Sequence, residues 1–142
     1  MVNRSPTSGH ISVRRGVIGI IPREQAFLLI QRAAHLRRGG CWCFPGGHLE
    51  PGENSRRAVI REIHEELGVI VEPFRRLGAV RVHDSNYILA VWLARMSEAA
   101  PLRPNAAEIA DARWLTVEEI GLMRPGLPSN QTVLEMLREV RL

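Results

Sequence analysis

The chain contains no lysine, only two cysteines and only seven aromatic residues among its 142. With so few cysteines no disulfide framework can hold the fold, so an apolar core must, and a chain of this length supplies one within a single domain. Cys41 and Cys43 flank Trp42, so in an extended segment both thiols share a face. No second Cys or His pair is spaced to complete a zinc site, which favours structural, reduced thiols over metal ligation. No apolar run approaches the roughly eighteen residues of a membrane-spanning helix. The opening MVNRSPTSGH lacks the apolar centre of a signal peptide. The expectation is a cytoplasmic protein in which residues 1–142 form one domain and residues 1–10 a flexible tail.

What is present begins with arginine, which supplies all nineteen basic residues. Its planar fork suits phosphate. Thirteen arginines stand against seven glutamates before His83, whereas six stand against eight acidic residues after it. A basic first half serves a small phosphate ester or a nucleic acid. The small ester is favoured, because the pairs Arg14/Arg15, Arg37/Arg38, Arg56/Arg57 and Arg75/Arg76 are scattered and carry no interleaved aromatics to stack bases.

Val13 to Ile21 and Ala26 to Gln31 read as two strands of a hairpin joined by PREQ. CWCF is a short strand broken by Pro45-Gly46-Gly47, with His48 and Leu49 extended before Pro51-Gly52 turns the chain. Asn54 caps a helix running to about Leu67, and Gly68 ends it. Strands are expected near Val71 to Val82 and Tyr87 to Arg95, with HDSN as their turn. A loop over 97–111 leads to the strand ARWLT, one helical turn over Val117 to Ile120, and a last helix from about Gln131 to Val140. Strands outnumber helices, which points to an α+β or α/β/α sandwich around a mixed β-sheet.

The helix after Asn54 crowds Glu62, Glu65 and Glu66. At about 100 degrees per residue, Val59, Ile60, Ile63 and Leu67 share the buried arc, the three glutamates occupy the adjacent arc, and Arg57, Arg61 and His64 face outward. Such a run is either a solvated acidic face or a metal site. Like charges four apart destabilise by roughly 0.2–0.5 kcal/mol, and a helix C-terminus disfavours anions. A divalent cation reverses the sign of both effects, and hard oxygen donors suit Mg²⁺ or Mn²⁺.

From Gly47 the sequence runs five residues to Glu53, seven more, then Arg61-Glu62-Ile63-His64-Glu65-Glu66-Leu67-Gly68-Val69. This resembles the Nudix box, G-x5-E-x7-R-E-U-x-E-E-x-G-U with U apolar, at every fixed position. The resemblance implies the Nudix fold, an α/β/α sandwich with a mixed sheet, and Mg²⁺-dependent hydrolysis of a nucleoside diphosphate linked to another moiety. It implies metal ligation by Glu62, Glu65 and Glu66, with the backbone carbonyl of Gly46 assisting. It also implies that Arg61 and Glu53 order the loop and the glutamates, the alternative for Arg61 being a surface charge. The implied partner is a small nucleotide, with no membrane and no nucleic acid polymer, acting on a monomer or homodimer.

Three further segments resemble the MutT-like branch, which converts nucleoside triphosphates to monophosphate and pyrophosphate. Arg32, ending LLIQRAA, stands where that branch aims an arginine at phosphates, or is a strand-end surface charge. Phe44 stands where it sets an apolar side chain beside the base, or is core. Asn130 stands where it has an asparagine able to read a purine edge, the alternative being that Ser129 or Asn130 simply caps the last helix. MutT carries a catalytic glutamate immediately before its tryptophan, but Arg113 precedes Trp114 here. Glu108 is the expected substitute and Asp111 the next choice, an exposed loop acid being the alternative for both. The expected substrate is a nucleoside triphosphate, oxidised purines included. The rivals are ADP-ribose or another nucleoside diphosphate sugar, and a sensor that binds nucleotides without turnover.

Overall fold

The computed structural model describes residues 12–82, 85–97 and 99–141. The expected tail over 1–10, and His83 and Asp84 of the expected HDSN turn, lie outside the described residues. Eleven elements follow in order: β1 (Arg14–Ile20), β2 (Pro22–Arg23), β3 (Ala26–Arg32), β4 (Trp42–Cys43), β5 (Gly46–His48), α1 (Ser55–Leu67), β6 (Val71–Arg81), β7 (Tyr87–Met96), β8 (Ile109–Thr116), α2 (Val117–Leu122) and α3 (Ser129–Arg138).

The strands form two sheets. One has the order β5-β1-β7-β6 and is mixed, β1 running parallel to β7 and antiparallel to β5, and β7 antiparallel to β6. In the other, β3 pairs antiparallel with β2, β4 and β8. Because side chains alternate along a strand, each strand serves two cores. Val17, Leu28 and Ile30 pack with Val59, Ile63 and Leu67 of α1, whereas Ile18, Phe27 and Leu29 pack with Ile120 of α2 and Val133 and Leu134 of α3. The sheets are therefore a central layer between helices, the expected α/β/α sandwich of an α+β fold.

The expected hairpin is corrected. β1 does not pair with β3; it lies in the other sheet, and only Pro22–Arg23 turns back on Ala26–Phe27. A continuous β-branched run separated by a short turn does not say which of its two edges is used, and β1 finds its partners about thirty and seventy residues downstream. Gly46-Gly47 also forms strand rather than breaking one, and β8 begins at Ile109, inside the expected loop.

α1 behaves as its sequence dictates. Asn54 is the cap, its Oδ1 accepting from Arg57 N at 2.9 Å, and Gly68 ends the helix at φ +68°. α3 does not. Pro128 occupies its cap position with no side-chain cap bond, so neither Ser129 nor Asn130 caps it.

Candidate active site

The amphipathic period of α1 buries Val59, Ile63 and Leu67 against the sheet and carries Glu66 in with them, since its neighbours on the same arc are core. Glu66 is 6% exposed. Its Oε1 accepts from Gly46 N at 3.0 Å, which ties the helix to β5. Glu62 is half-buried and Glu65 exposed, so the three carboxylates run from interior to solvent along one edge. Gly47 lies against Glu62, and a Cβ there would collide with its carboxyl group.

Arg61 does not point outward. Its Nε and Nη2 grip Glu53 at 2.8 Å each, Nη1 meets Glu62 at 2.9 Å and Glu65 at 3.3 Å, and Nη2 also donates to the carbonyl of His48 at 2.8 Å. A bidentate guanidinium at the centre of three carboxylates fixes their relative positions. The Arg61 hydrogen bond holds the Glu53 carboxyl below the usual carboxylate range. Glu62 moves the other way, raised by burial against the opposing pull of Arg61. Burial, and then the charge of Glu62, push Glu66 well above the ordinary value. The charge of Glu108 adds to the rise at both Glu62 and Glu66, so this loop acid faces the same edge.

Among the described residues no three His, Cys, Asp or Glu side chains gather at one point as they stand. The donor chemistry nonetheless fits a divalent cation. Both sheltered carboxylates are raised by burial, Glu66 by the charge of Glu62 as well, and each has one oxygen, Oε2, outside the hydrogen bonds described above. Hard anionic oxygens in that arrangement are short of positive charge. Burial pushes the Cys43 thiol up to about 12. Both cysteines are free, in line with the reduced thiols expected.

Beside the carboxylate edge opens a cavity of about 920 Å³. Arg32, Phe44, Gly46, Glu66 and Asn130 all line it, so five of the residues singled out in the sequence share one space. Arg32 is steadied by its own Nε donating to the carbonyl of Arg37 at 2.9 Å. Phe44 is 5% exposed, so it is both core and cavity wall. Asn130 is 4% exposed, and its Nδ2 donates to the carbonyl of Trp42 at 2.9 Å. Among the described residues its Oδ1 has no protein partner. Glu108 and Asp111 do not line the cavity. Asp111 is engaged elsewhere, accepting from Ala112 N at 2.8 Å and from Arg113 Nε at 2.9 Å.

Sequence reasoning missed Trp42, whose carbonyl anchors Asn130, and the pair His48 and Tyr87 on the cavity wall. His48 stands inside the box at an unspecified position, and Tyr87 is the chain's only tyrosine.

An acidic edge borders an arginine-lined cavity in an α/β/α sandwich, an arrangement whose charges suit a phosphate ester held beside a divalent cation. The NUDIX domain model matches residues 11–137, and the chain belongs to that family, whose members generally use divalent metal ions. Over 109 residues it is 31% identical to the NAD-capped RNA hydrolase NudC of Vibrio parahaemolyticus, an alignment covering 77% of this chain but 41% of that protein. The chain thus spans about two-fifths of such relatives. The 8-oxo-dGTP diphosphatase of Escherichia coli is 29% identical over 127 residues, covering 87% of this chain and 95% of that one. The crystal structure of a MutT NUDIX hydrolase from Burkholderia pseudomallei superposes with a TM-score of 0.76 at 30% identity, covering 87% and 97% of the two chains. Among the described residues no helix is long and apolar enough to cross a membrane.

Proposed function

We propose that this chain hydrolyses purine nucleoside triphosphates, oxidised purines included, to the monophosphate and pyrophosphate, with Mg²⁺ (or Mn²⁺) as cofactor. The observation that carries it is the single cavity that runs from Glu66 and Gly46 past Arg32 to Phe44 and Asn130. Glu62, Glu65, Glu66 and the Gly46 carbonyl would hold the ion, which when bound supplies Lewis acidity and a more acidic water. Arg61 and Glu53 keep the carboxylates in place. Arg32 pairs with phosphate oxygens. Phe44 lies against the base and Asn130 accepts from its edge. Glu108 takes the proton of the attacking water.

The chain acts as one domain, as a monomer or homodimer, on small nucleotides in the cytoplasm. ADP-ribose or another nucleoside diphosphate sugar is the second reading, and the cavity favours it to the extent that its lining continues to Arg81 and Asn86, past the residues a triphosphate needs. Purified protein with Mg²⁺ should be assayed against nucleoside triphosphates, 8-oxo-dGTP and nucleoside diphosphate sugars. The highest kcat/KM is expected for a purine triphosphate. Cleavage of the sugars with triphosphates untouched would overturn the proposal.

A further inference from the structure

Gly16 is buried in β1 between β5 and β7, and its backbone does not sit at positive φ. What it supplies is room. A Cβ there would collide with Tyr87 Oη, the Gly47 carbonyl and Leu89 Cδ2. In the sheet register Gly16 stands opposite His48 of β5 on one side, and Tyr87 of β7 is two positions along on the other. The Tyr87 ring therefore reaches across β1 through the space Gly16 leaves. Its Oη meets His48 Nδ1 at 2.7 Å, the rings edge to face with centroids 5.1 Å apart.

The backbone that carries the imidazole is held too. The His48 carbonyl accepts from Arg61, and two residues back Gly46 N donates to Glu66. β5 is thus pinned at both ends to the helix that carries the carboxylates, and both His48 and Tyr87 line the cavity with Arg32 and Glu66. Burial pushes the Tyr87 phenol up to about 12, so it is a hydroxyl with a proton to give. An exposed imidazole has little packing to gain from such bracing.

We propose that Tyr87 and His48 are a substrate-positioning pair: Tyr87 Oη donates to His48 Nδ1, the ring proton stays on Nε2, and that N–H donates to a phosphoryl oxygen of the bound nucleotide. The proposal rests on the cavity being a nucleotide site. It adds a directional donor beside Arg32 without adding charge. His48 touches the substrate; Tyr87 acts through His48. The sequence shows His48 only as an unspecified box residue and gives no hint that a tyrosine thirty-nine residues later reaches it.

The test uses ¹⁵N-labelled full-length protein. Imidazole nitrogen–carbon-proton correlations report the tautomer of His48 directly. Binding of a purine α,β-methylene triphosphate with Mg²⁺ is then measured for the parent, His48→Ala, His48→Gln, Tyr87→Phe and the double variant of His48→Ala with Tyr87→Phe. The parent should show the Nε2–H tautomer, and Tyr87→Phe should lose that preference. His48→Ala should weaken binding about ten- to a hundredfold, the effect of one hydrogen bond to a charged acceptor. His48→Gln, which can offer an N–H from nearly the same place, should recover part of it. Tyr87→Phe should weaken binding less, and add nothing once His48 is alanine. A parent Nδ1–H tautomer, or parent-like affinity in His48→Ala while the parent binds and hydrolyses triphosphates, would overturn the pair and leave the nucleotide site standing. A parent that binds no triphosphate would remove both.

Discussion

Asn130 Nδ2 donates to the carbonyl of Trp42 at 2.9 Å across 88 residues of sequence, joining the first turn of α3 to β4, the strand just before Phe44. The same carbonyl accepts from Leu127 N at 3.1 Å, and Trp42 N donates to the carbonyl of Pro125 at 2.9 Å, so the segment before α3 is laid along β4. The amide is thereby oriented, with one of its two N–H donors bound to Trp42 and its buried acceptor, Oδ1, without a protein partner among the described residues. Under the proposed function, a base that reaches this oxygen would present an N–H to it.

Asn130→Ala should therefore erode discrimination among bases more than it slows the best substrate. Phosphate and metal contacts are common to all nucleotides, and losing a base contact costs about 1–3 kcal/mol of discrimination. Because Pro128 and not Asn130 occupies the cap position, the fold should lose only about 1 kcal/mol, the usual value of one buried hydrogen bond. Ratios of kcat/KM across bases, beside a denaturant melt, check both. Unchanged ratios would reduce Asn130 to a brace for Trp42.

Glu65→Gln and Glu66→Gln should each lower turnover by about a hundredfold or more if they ligate the ion, and a chelator should stop the parent until Mg²⁺ is restored. Stability should not follow activity. Glu66 is buried beside Glu62, and glutamine keeps the oxygen that accepts from Gly46 N while discarding the charge. Metal-free Glu66→Gln should melt no lower than the metal-free parent. A clearly lower Tm would make Glu66 a structural residue.

Much of this arrangement was legible in the sequence because it is local. Gly47, Glu53, Arg61 and the three glutamates lie within one short strand, the turn after it and one helix, where spacing fixes placement, and the Asn54 cap and Gly68 stop follow from the same short range. The inward course of Arg61 was not legible. A helical wheel puts Arg61 outside, but a long guanidinium folds back when three carboxylates and a carbonyl surround it. Nor was the pairing of β1 with β7, or the docking of Asn130 on Trp42. Those depend on backbone edges meeting over seventy or more residues, and alternation of apolar side chains says which face is buried, not which edge is taken.

Arg61→Lys should lose both activity and stability. An ammonium has no fork to grip Glu53 bidentately while reaching Glu62, Glu65 and the His48 carbonyl, so two or more charge-assisted bonds go, at about 1–3 kcal/mol together on a partly exposed site. The deficit should depend on pH. Glu53 has its folded pKa lowered by Arg61, so its contribution is complete above the unfolded carboxylate pKa and disappears as pH falls through the lowered folded value. The Tm gap between the parent and Glu53→Gln should accordingly be full at neutral pH and shrink in acid below the ordinary carboxylate range. A gap constant down to strong acid would show that the ion pair does not carry it.

Glu108→Gln should lower kcat far more than it raises KM. Glu108 is held by its backbone, its carbonyl accepting from Ala33 N at 2.8 Å and its N–H donating to the carbonyl of Asn105 at 2.9 Å, while its side chain is exposed and its charge is felt at Glu62 and Glu66. Under the proposed function, such an unpinned carboxylate would serve as a base beside the ion site without being a fixed ligand. Asp111 has both oxygens engaged, one by Ala112 N and one by Arg113, so it would first have to break an ion pair. A general base acts in the transition state, and its loss appears in the chemical step at about a hundredfold or more, with substrate affinity nearly unchanged. Single-turnover rates and equilibrium binding for Glu108→Gln and Asp111→Asn separate the two. Normal chemistry in Glu108→Gln beside a large loss in Asp111→Asn would transfer the role to Asp111, and would mean that the Arg113 pair opens when substrate binds.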